Sequence, residues 1–335
     1  MQGAWLSRDQ AANQLEIQNL IAAVHAGEVD VAVVGSETLQ RGDLSQDQLI
    51  SYMNQVRSAV PPSMDVQITT ADTYWMLLNN PAVVSASDIF YANIYPFWES
   101  KSVRDAVVSL PSLHQTLLRA AQGKSVWYSE VGWPSAGNPR GEAVPSPENA
   151  AFYFSNVTDF ARASNIPVFY FEAVDEPWKT EASVGPHWGL FHNGRLKPGM
   201  GDVFCGQTDD SWRGELIDGP GQPSIELTTV PPLGTTQNLR GRISHLYTTQ
   251  YKIGVYIKVG GGWWTKPTFA NPYISLGFDG SWEADITTGG YDTQASDIAV
   301  FVVPLDYALP SSSGSGSLPA ELSDQSVVWI TVHRE

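Results

Sequence analysis

Ser125-Val126-Trp127-Tyr128-Ser129-Glu130-Val131-Gly132-Trp133-Pro134-Ser135 decides the reading of this chain. A short apolar run ends in a single acid, and Gly132-Trp133-Pro134 then turns the backbone. That is the pattern of a buried strand delivering one carboxylate to its carboxyl-terminal edge. One strand-end acid serves equally well as a cap for the next loop. A second one alters the balance, because Val31-Ala32-Val33-Val34-Gly35-Ser36-Glu37 ends in the same way. In a barrel of parallel strands the carboxyl-terminal edge carries the chemistry. Two glutamates there can face each other across a cleft, the arrangement that glycoside hydrolysis requires.

The flanking segments alternate between strand and helix. Gly3-Ala4-Trp5-Leu6 reads as the tail of a strand. Ser7 is then placed to cap a helix with Ile17, Leu20, Ile21 and Val24 on one face and Gly27 at its end. Ser45 and Gln48 form a capping-box pattern before a helix with Leu49, Met53, Val56 and Val60 on one side. Residues 65–72 and 88–95 read as further strands, and a helix carrying Val103, Val107 and Leu110 follows. Gly123 precedes the Glu130 strand, Ser146-Pro147-Glu148 opens one more helix, and residues 166–174 form the last strand. Such alternation predicts parallel βα units. Five strands are counted after the Trp5 fragment, whereas a closed barrel of this kind needs eight.

Ser129-Glu130-Val131-Gly132-Trp133-Pro134-Ser135, Phe169-Tyr170-Phe171-Glu172-Ala173-Val174-Asp175-Glu176-Pro177-Trp178-Lys179 and His187-Trp188-Gly189-Leu190-Phe191 together resemble glycoside hydrolase family 17. That is the family of retaining β-1,3-glucanases and related glucanosyltransferases. Val34-Gly35-Ser36-Glu37 resembles its acid/base strand, with Ser36 where the family usually has asparagine. The resemblance covers roughly residues 3 to 200. It implies a (β/α)8 barrel with Glu37 as acid/base on the fourth strand and Glu130 as nucleophile on the seventh. It also implies a β-glucan substrate, and a secreted or cell-envelope location. Ser36 would replace the amide contact to the sugar 2-hydroxyl. Relative to the family, the first two strand–helix units and most of the third strand are missing. The chain is then a fragment, one half of a system completed by another chain, or a reduced barrel, and weak stability with doubtful activity is expected of so short a copy.

The resemblance extends to supporting residues. Tyr95 matches the aromatic beside the catalytic pair, and Glu176 and Lys179 match the acid and lysine after the eighth strand; Glu172 and Asp175 are neighbouring alternatives. Trp133, Phe97, Trp98 and Trp178 fall on loops at the catalytic face, where a ring can stack on a glucosyl unit. Thr70 and Asp72 end the strand after that of Glu37 and are expected to line the cleft. His187 and His192 lack metal-ligand spacing, so neither metal nor cofactor is expected.

Composition sets the outer bounds. A chain of 335 residues is long enough for two cores. A net charge of −16 argues against nucleic acid or anionic membrane as partner, but is neutral towards an uncharged polysaccharide. Cys205, the single cysteine, excludes an internal disulfide. No membrane-spanning run and no signal peptide is visible. The sequence sets no oligomeric state. The domain reading is a catalytic barrel domain over 1–206, a polar Gly/Pro-rich linker over 207–221, and a β-sandwich over 222–335. The sandwich rests on β-rich runs at 225–230, 251–259, 298–303 and 327–332, with 311–317 as a flexible loop. Trp263, Trp264, Trp282 and Tyr291 form either a sugar-binding platform or its core.

Overall fold

The structure is a computed structural model, and it describes residues 1–61 and 63–334; Glu335, the last residue of the expected sandwich, lies outside them. The elements in chain order are β1 (Gln2–Ala4), α1 (Gln10–His25), β2 (Val31–Ser36), α2 (Gln46–Ala59), β3 (Gln67–Thr73), α3 (Tyr74–Asn79), α4 (Pro81–Ala86) and β4 (Phe90–Ile94). They continue with α5 (Val103–Val108), α6 (Leu110–Ala120), β5 (Val126–Val131), α7 (Pro147–Ala163) and β6 (Val168–Tyr170). Next come β7 (Phe191–His192), β8 (Arg195–Leu196) and α8 (Gly201–Phe204). The remainder is β9 (Ser224–Thr229), β10 (Leu239–Ser244), β11 (Tyr251–Val259), β12 (Gly262–Lys266), β13 (Tyr273–Ile274), β14 (Ser281–Ala284), β15 (Asp297–Pro304), β16 (Ser313–Ser315), α9 (Glu321–Gln325) and β17 (Val328–His333).

Two compact units result, one from residues 1–100 with 117–208 and the other from 101–116 with 209–335. In the first, six strands run parallel in the order β1-β2-β3-β4-β5-β6, an open arc of the barrel topology. All of β4 and nearly all of β2 are buried, as strands covered on both faces must be. The capping box at Ser45 and Gln48 forms as expected, and Leu49, Met53 and Val56 are buried. Ser146 caps α7, with Pro147 in its first turn. Asp9, not Ser7, caps α1, accepting from the N–H groups of Ala11 and Ala12; Ser7 Oγ instead accepts from Asp9 N–H. The last strand is shorter than expected. It ends at Tyr170, and the chain beyond it is held through isolated pairings such as Val174 with Phe191.

Three irregularities in this sheet fall beside the two glutamates. The β2–β3 register shifts between Val33 and Ser36, β4–β5 between Ala92 and Asn93, and β5–β6 between Tyr128 and Val131. Extra residues of this kind bend a strand and re-aim its side chains, a device common next to active sites.

In the second unit, the antiparallel sheet β14-β10-β9 and the antiparallel sheet β16-β12-β11-β15-β17, with β13 also on β11, enclose one core. Ile243, Leu239 and Trp282 come from the first sheet, and Ile253, Val255, Ile298 and Val300 from the second. β9, β10, β14 and β17 alternate between inward and outward residues, whereas the central strands β11 and β15 are buried along nearly their whole length. Trp282 is therefore core, not platform, while Trp264 and Tyr291 stand 37% and 72% exposed. The serine-rich segment is not a free loop: β16 pairs with Trp263 and Trp264 of β12. Residues 101–116 join this unit through Asp105 Oδ1, which accepts from Phe278 N–H at 2.9 Å, and through a 2.7 Å hydroxyl contact between Ser112 and Ser275.

Candidate active site

Glu37 follows the last residue of β2 with φ of +53°, a left-handed conformation that side chains other than glycine seldom adopt. The turn is held from several sides. Glu37 N–H donates to Ala71 O at 2.8 Å, and Arg41 N–H donates to Glu37 O at 2.9 Å. Arg41 also donates to Ser36 O at 2.5 Å and Leu6 O at 2.9 Å, tying the ends of β1 and β2 together. Gly35, with φ of +79°, allows the approach, since a Cβ there would lie 2.8 Å from Thr38 Cγ2.

Glu130 sits in β5 with its Oε2 accepting from the Tyr95 hydroxyl at 2.6 Å. Burial pushes the Glu130 carboxyl up to about 7; Tyr95 opposes the shift by donating to the carboxylate, Glu37 adds to it by charge, and Lys179 opposes it. The Tyr95 hydroxyl is itself driven far above its ordinary value by burial and then by Glu130, so it remains a donor. Between the two glutamates stands Asn93, directly opposite Glu130 in the β4–β5 register. Its Nδ2 donates to Glu37 Oε1 at 2.8 Å, and its Oδ1 accepts from Ser129 Oγ at 2.5 Å. Glu37 and Glu130 are thus joined through β4 and act on each other electrostatically. Glu130 carries the raised value, opposite to what a nucleophile kept ionised by its surroundings would show.

Beyond β6, Lys179 forms ion pairs with Glu172 at 2.7 Å and Glu176 at 2.6 Å, and lies 4.3 Å from the centre of the Phe171 ring. Burial raises the Glu172 carboxyl, whereas Lys179 lowers the half-buried Glu176. Glu172 Oε1 is buried without a hydrogen-bond partner among the described residues. Asp175 holds the return loop instead, accepting from Gly189 N–H at 2.9 Å and pairing with the buried Lys197 at 2.6 Å.

Several expected contacts are corrected. Trp133 and Phe97 are 0% and 1% exposed, so neither offers a face to a sugar. They pack edge to face at 5.7 Å as a floor, and Trp133 Nε1 donates to Val144 O. Thr70 and Asp72 are buried instead of lining the cleft; Thr70 Oγ1 donates to Gly35 O, and Asp72 accepts from Leu39 and Thr73 N–H. Burial raises Asp72 to about 6. Both shape the Glu37 loop from below. Trp98 is half-buried, 5.9 Å from Trp188, and Trp178 is 70% exposed. Ser36 is partly exposed at the end of β2.

Three contributors went unrecognised as site residues in the sequence. Asn93 and Ser129 are polar groups inside otherwise buried strands, which is the signal that could have marked them. Trp188 meets Tyr95 at 5.3 Å, Phe97 at 5.9 Å and Phe171 at 6.3 Å, and so sets the ring that backs Glu130.

Parallel strands that bring two glutamates to one carboxyl-terminal edge, with a tyrosine on one and an amide on the other, define a glycoside hydrolase domain of the barrel class. The BtgE/BtgC glycoside hydrolase domain matches residues 1–189, and the chain belongs to that family. It is similar to a glucan 1,3-beta-glucosidase of Candida albicans, 31% identical over 213 residues that cover 57% of this chain and 69% of the relative. A glucan 1,3-beta-glucosidase of Saccharomyces cerevisiae is 32% identical over 211 residues, covering 56% of this chain and 67% of that protein. Among solved structures, a glycoside hydrolase family 17 beta-1,3-glucanosyltransferase from Rhizomucor miehei superposes with a TM-score of 0.53 at 33% identity, over 58% of this chain and 73% of its own.

Proposed function

We propose that the chain is a retaining glycosidase acting on β-1,3-linked glucan, with Glu37 as acid/base and Glu130 as nucleophile. The observation that supports it most is the linked pair itself, Glu37 held by Asn93 and Glu130 held by Tyr95 at one edge of the parallel sheet. In this reading Glu130 attacks the anomeric carbon while Glu37 gives its proton to the departing oxygen. Glu37, now a carboxylate, then takes a proton from the incoming nucleophile, and the glucosyl–Glu130 bond breaks. Lys179, Glu172 and Glu176 supply sugar-hydroxyl partners beside the nucleophile, and Trp98 and Trp178 supply the accessible rings. β-Glucan is a cell-wall polymer outside the membrane, which agrees with a secreted or envelope location; no helix among the described residues is long and apolar enough to span a bilayer. Residues 1–206 form the catalytic part in this reading and 222–335 an accessory module.

Transfer of the glucosyl unit to another sugar is the second reading, favoured by the structural similarity to the Rhizomucor miehei beta-1,3-glucanosyltransferase. Both routes share the covalent intermediate. Incubation with laminari-oligosaccharides tests them together. Hydrolysis releases shorter products only, and transfer yields chains longer than the input. Glu130→Gln should abolish both, by on the order of 10⁴-fold or more, while glucan is still retained in a pull-down. Normal turnover by that variant contradicts the assignment.

A further inference from the structure

The relay Glu37–Asn93–Ser129 has a specific chemical consequence. Asn93 is 1% and Ser129 5% exposed, so amide and hydroxyl are both shielded from bulk water. A regular β5 would alternate Ser129 and Glu130 on opposite faces. The register shift at Ala92/Asn93 sets Tyr128 opposite Ala92 and Glu130 opposite Asn93, which leaves Ser129 as the extra residue. Ser129 thereby reaches Asn93 Oδ1 while Glu130 still reaches Tyr95. With its oxygen occupied by the Ser129 hydroxyl, the Asn93 amide faces Glu37 with Nδ2.

We propose that Asn93, locked by Ser129, is a positioning residue that fixes which oxygen of Glu37 carries the transferable proton. Oε1 accepts from Asn93, so the proton of the acid form sits on Oε2. In the first half-reaction the Oε2–H bond breaks as the glycosidic oxygen gains the proton, its bond to the anomeric carbon opens and the bond from Glu130 forms. In the second, the oxygen of water or a sugar hydroxyl bonds to the anomeric carbon as the Glu130–glucosyl bond breaks and Oε2 takes its proton; Asn93 stabilises the carboxylate between the two half-reactions. This inference rests on the reading of Glu37 as acid/base.

The test compares Asn93→Ala and Ser129→Ala with the wild-type full chain on two substrates, laminaritriose and 2,4-dinitrophenyl β-laminaribioside. The second has a leaving group that departs without protonation. The ratio of the two kcat/KM values is independent of how much variant is folded, and it reports only the step up to the glycosyl-enzyme. Asn93→Ala should lower kcat/KM on laminaritriose by roughly tenfold or more, part of the ~10²–10⁴ that general acid catalysis contributes, and change the activated substrate by less than about threefold. Ser129→Ala should shift the ratio in the same direction by a smaller factor. An unchanged ratio in Ser129→Ala, with wild type active on both substrates, overturns the relay alone. A wild type that leaves both substrates intact overturns the functional reading, and the relay with it.

Discussion

Tyr95 decides how Glu130 can serve at neutral pH. Burial holds the carboxyl at about 7, and the tyrosine hydroxyl is the largest influence pulling it down. A hydrogen bond to a charged group contributes ~1.5–3 kcal/mol, or about one to two pKa units. Tyr95→Phe removes it, so the Glu130 value rises. The nucleophile must be ionised to attack, and kcat/KM therefore climbs as pH rises through that value. In wild type the acidic limb of the profile should lie near 7, and in Tyr95→Phe it should move to higher pH by about one unit. A limb that stays in place shows that Tyr95 does not govern the ionisation of Glu130. At this scale the strand-end pattern singled out Glu37 and Glu130 and the family resemblance added Tyr95 and Lys179, and the structure sets Tyr95 against Glu130. The sequence misplaced Trp133, Phe97, Thr70 and Asp72, since position in a motif does not say whether a side chain points into solvent or under a loop.

At the level of elements, the spacing of β5 and β6 is set by a missing side chain. A Cβ on Gly132 would lie 2.4 Å from Phe171 O and 3.1 Å from Trp188 Cε3. The Phe171 oxygen is backbone and cannot swing aside, so Gly132→Ala must push the Phe171–Glu172 segment away from Glu130. Overpacking of this kind costs ~1–3 kcal/mol. Thermal unfolding should report a midpoint lower by several degrees, and kcat/KM should fall with it. Gly27→Ala offers the contrast: φ there is +76°, so alanine costs ~1–2 kcal/mol of backbone strain, but nothing lies within 4 Å and full kcat/KM is expected of the folded protein. An equal loss of kcat/KM at both sites contradicts the close approach at Gly132. Element type was legible wherever caps and periodicity agreed, as at Ser45–Gln48 and Ser146–Pro147. The register shifts were not, because an extra residue in a strand leaves no mark in the pattern of apolar positions.

Across the whole molecule, the separation into a parallel α/β unit and a β-rich unit follows the change of period in the sequence near Phe204. The assignment of residues 101–116 to the second unit does not. Local periodicity shows that a helix has an apolar face, whereas only the assembled structure shows which core receives it. The parallel order β1 to β6 is what makes the site: it carries Glu37 and Glu130, distant in sequence, to one edge with Asn93 between them. That convergence is the central claim, and covalent trapping tests it most directly. The full chain is treated with a 2-deoxy-2-fluoro-β-laminaribiosyl fluoride and then digested, and the labelled peptide is identified by mass spectrometry. The fluoroglycosyl group is expected on Glu130, with no label in Glu130→Gln. A label on Glu172 or any other carboxylate, or release of sugar from glucan without any trapped species, would contradict it.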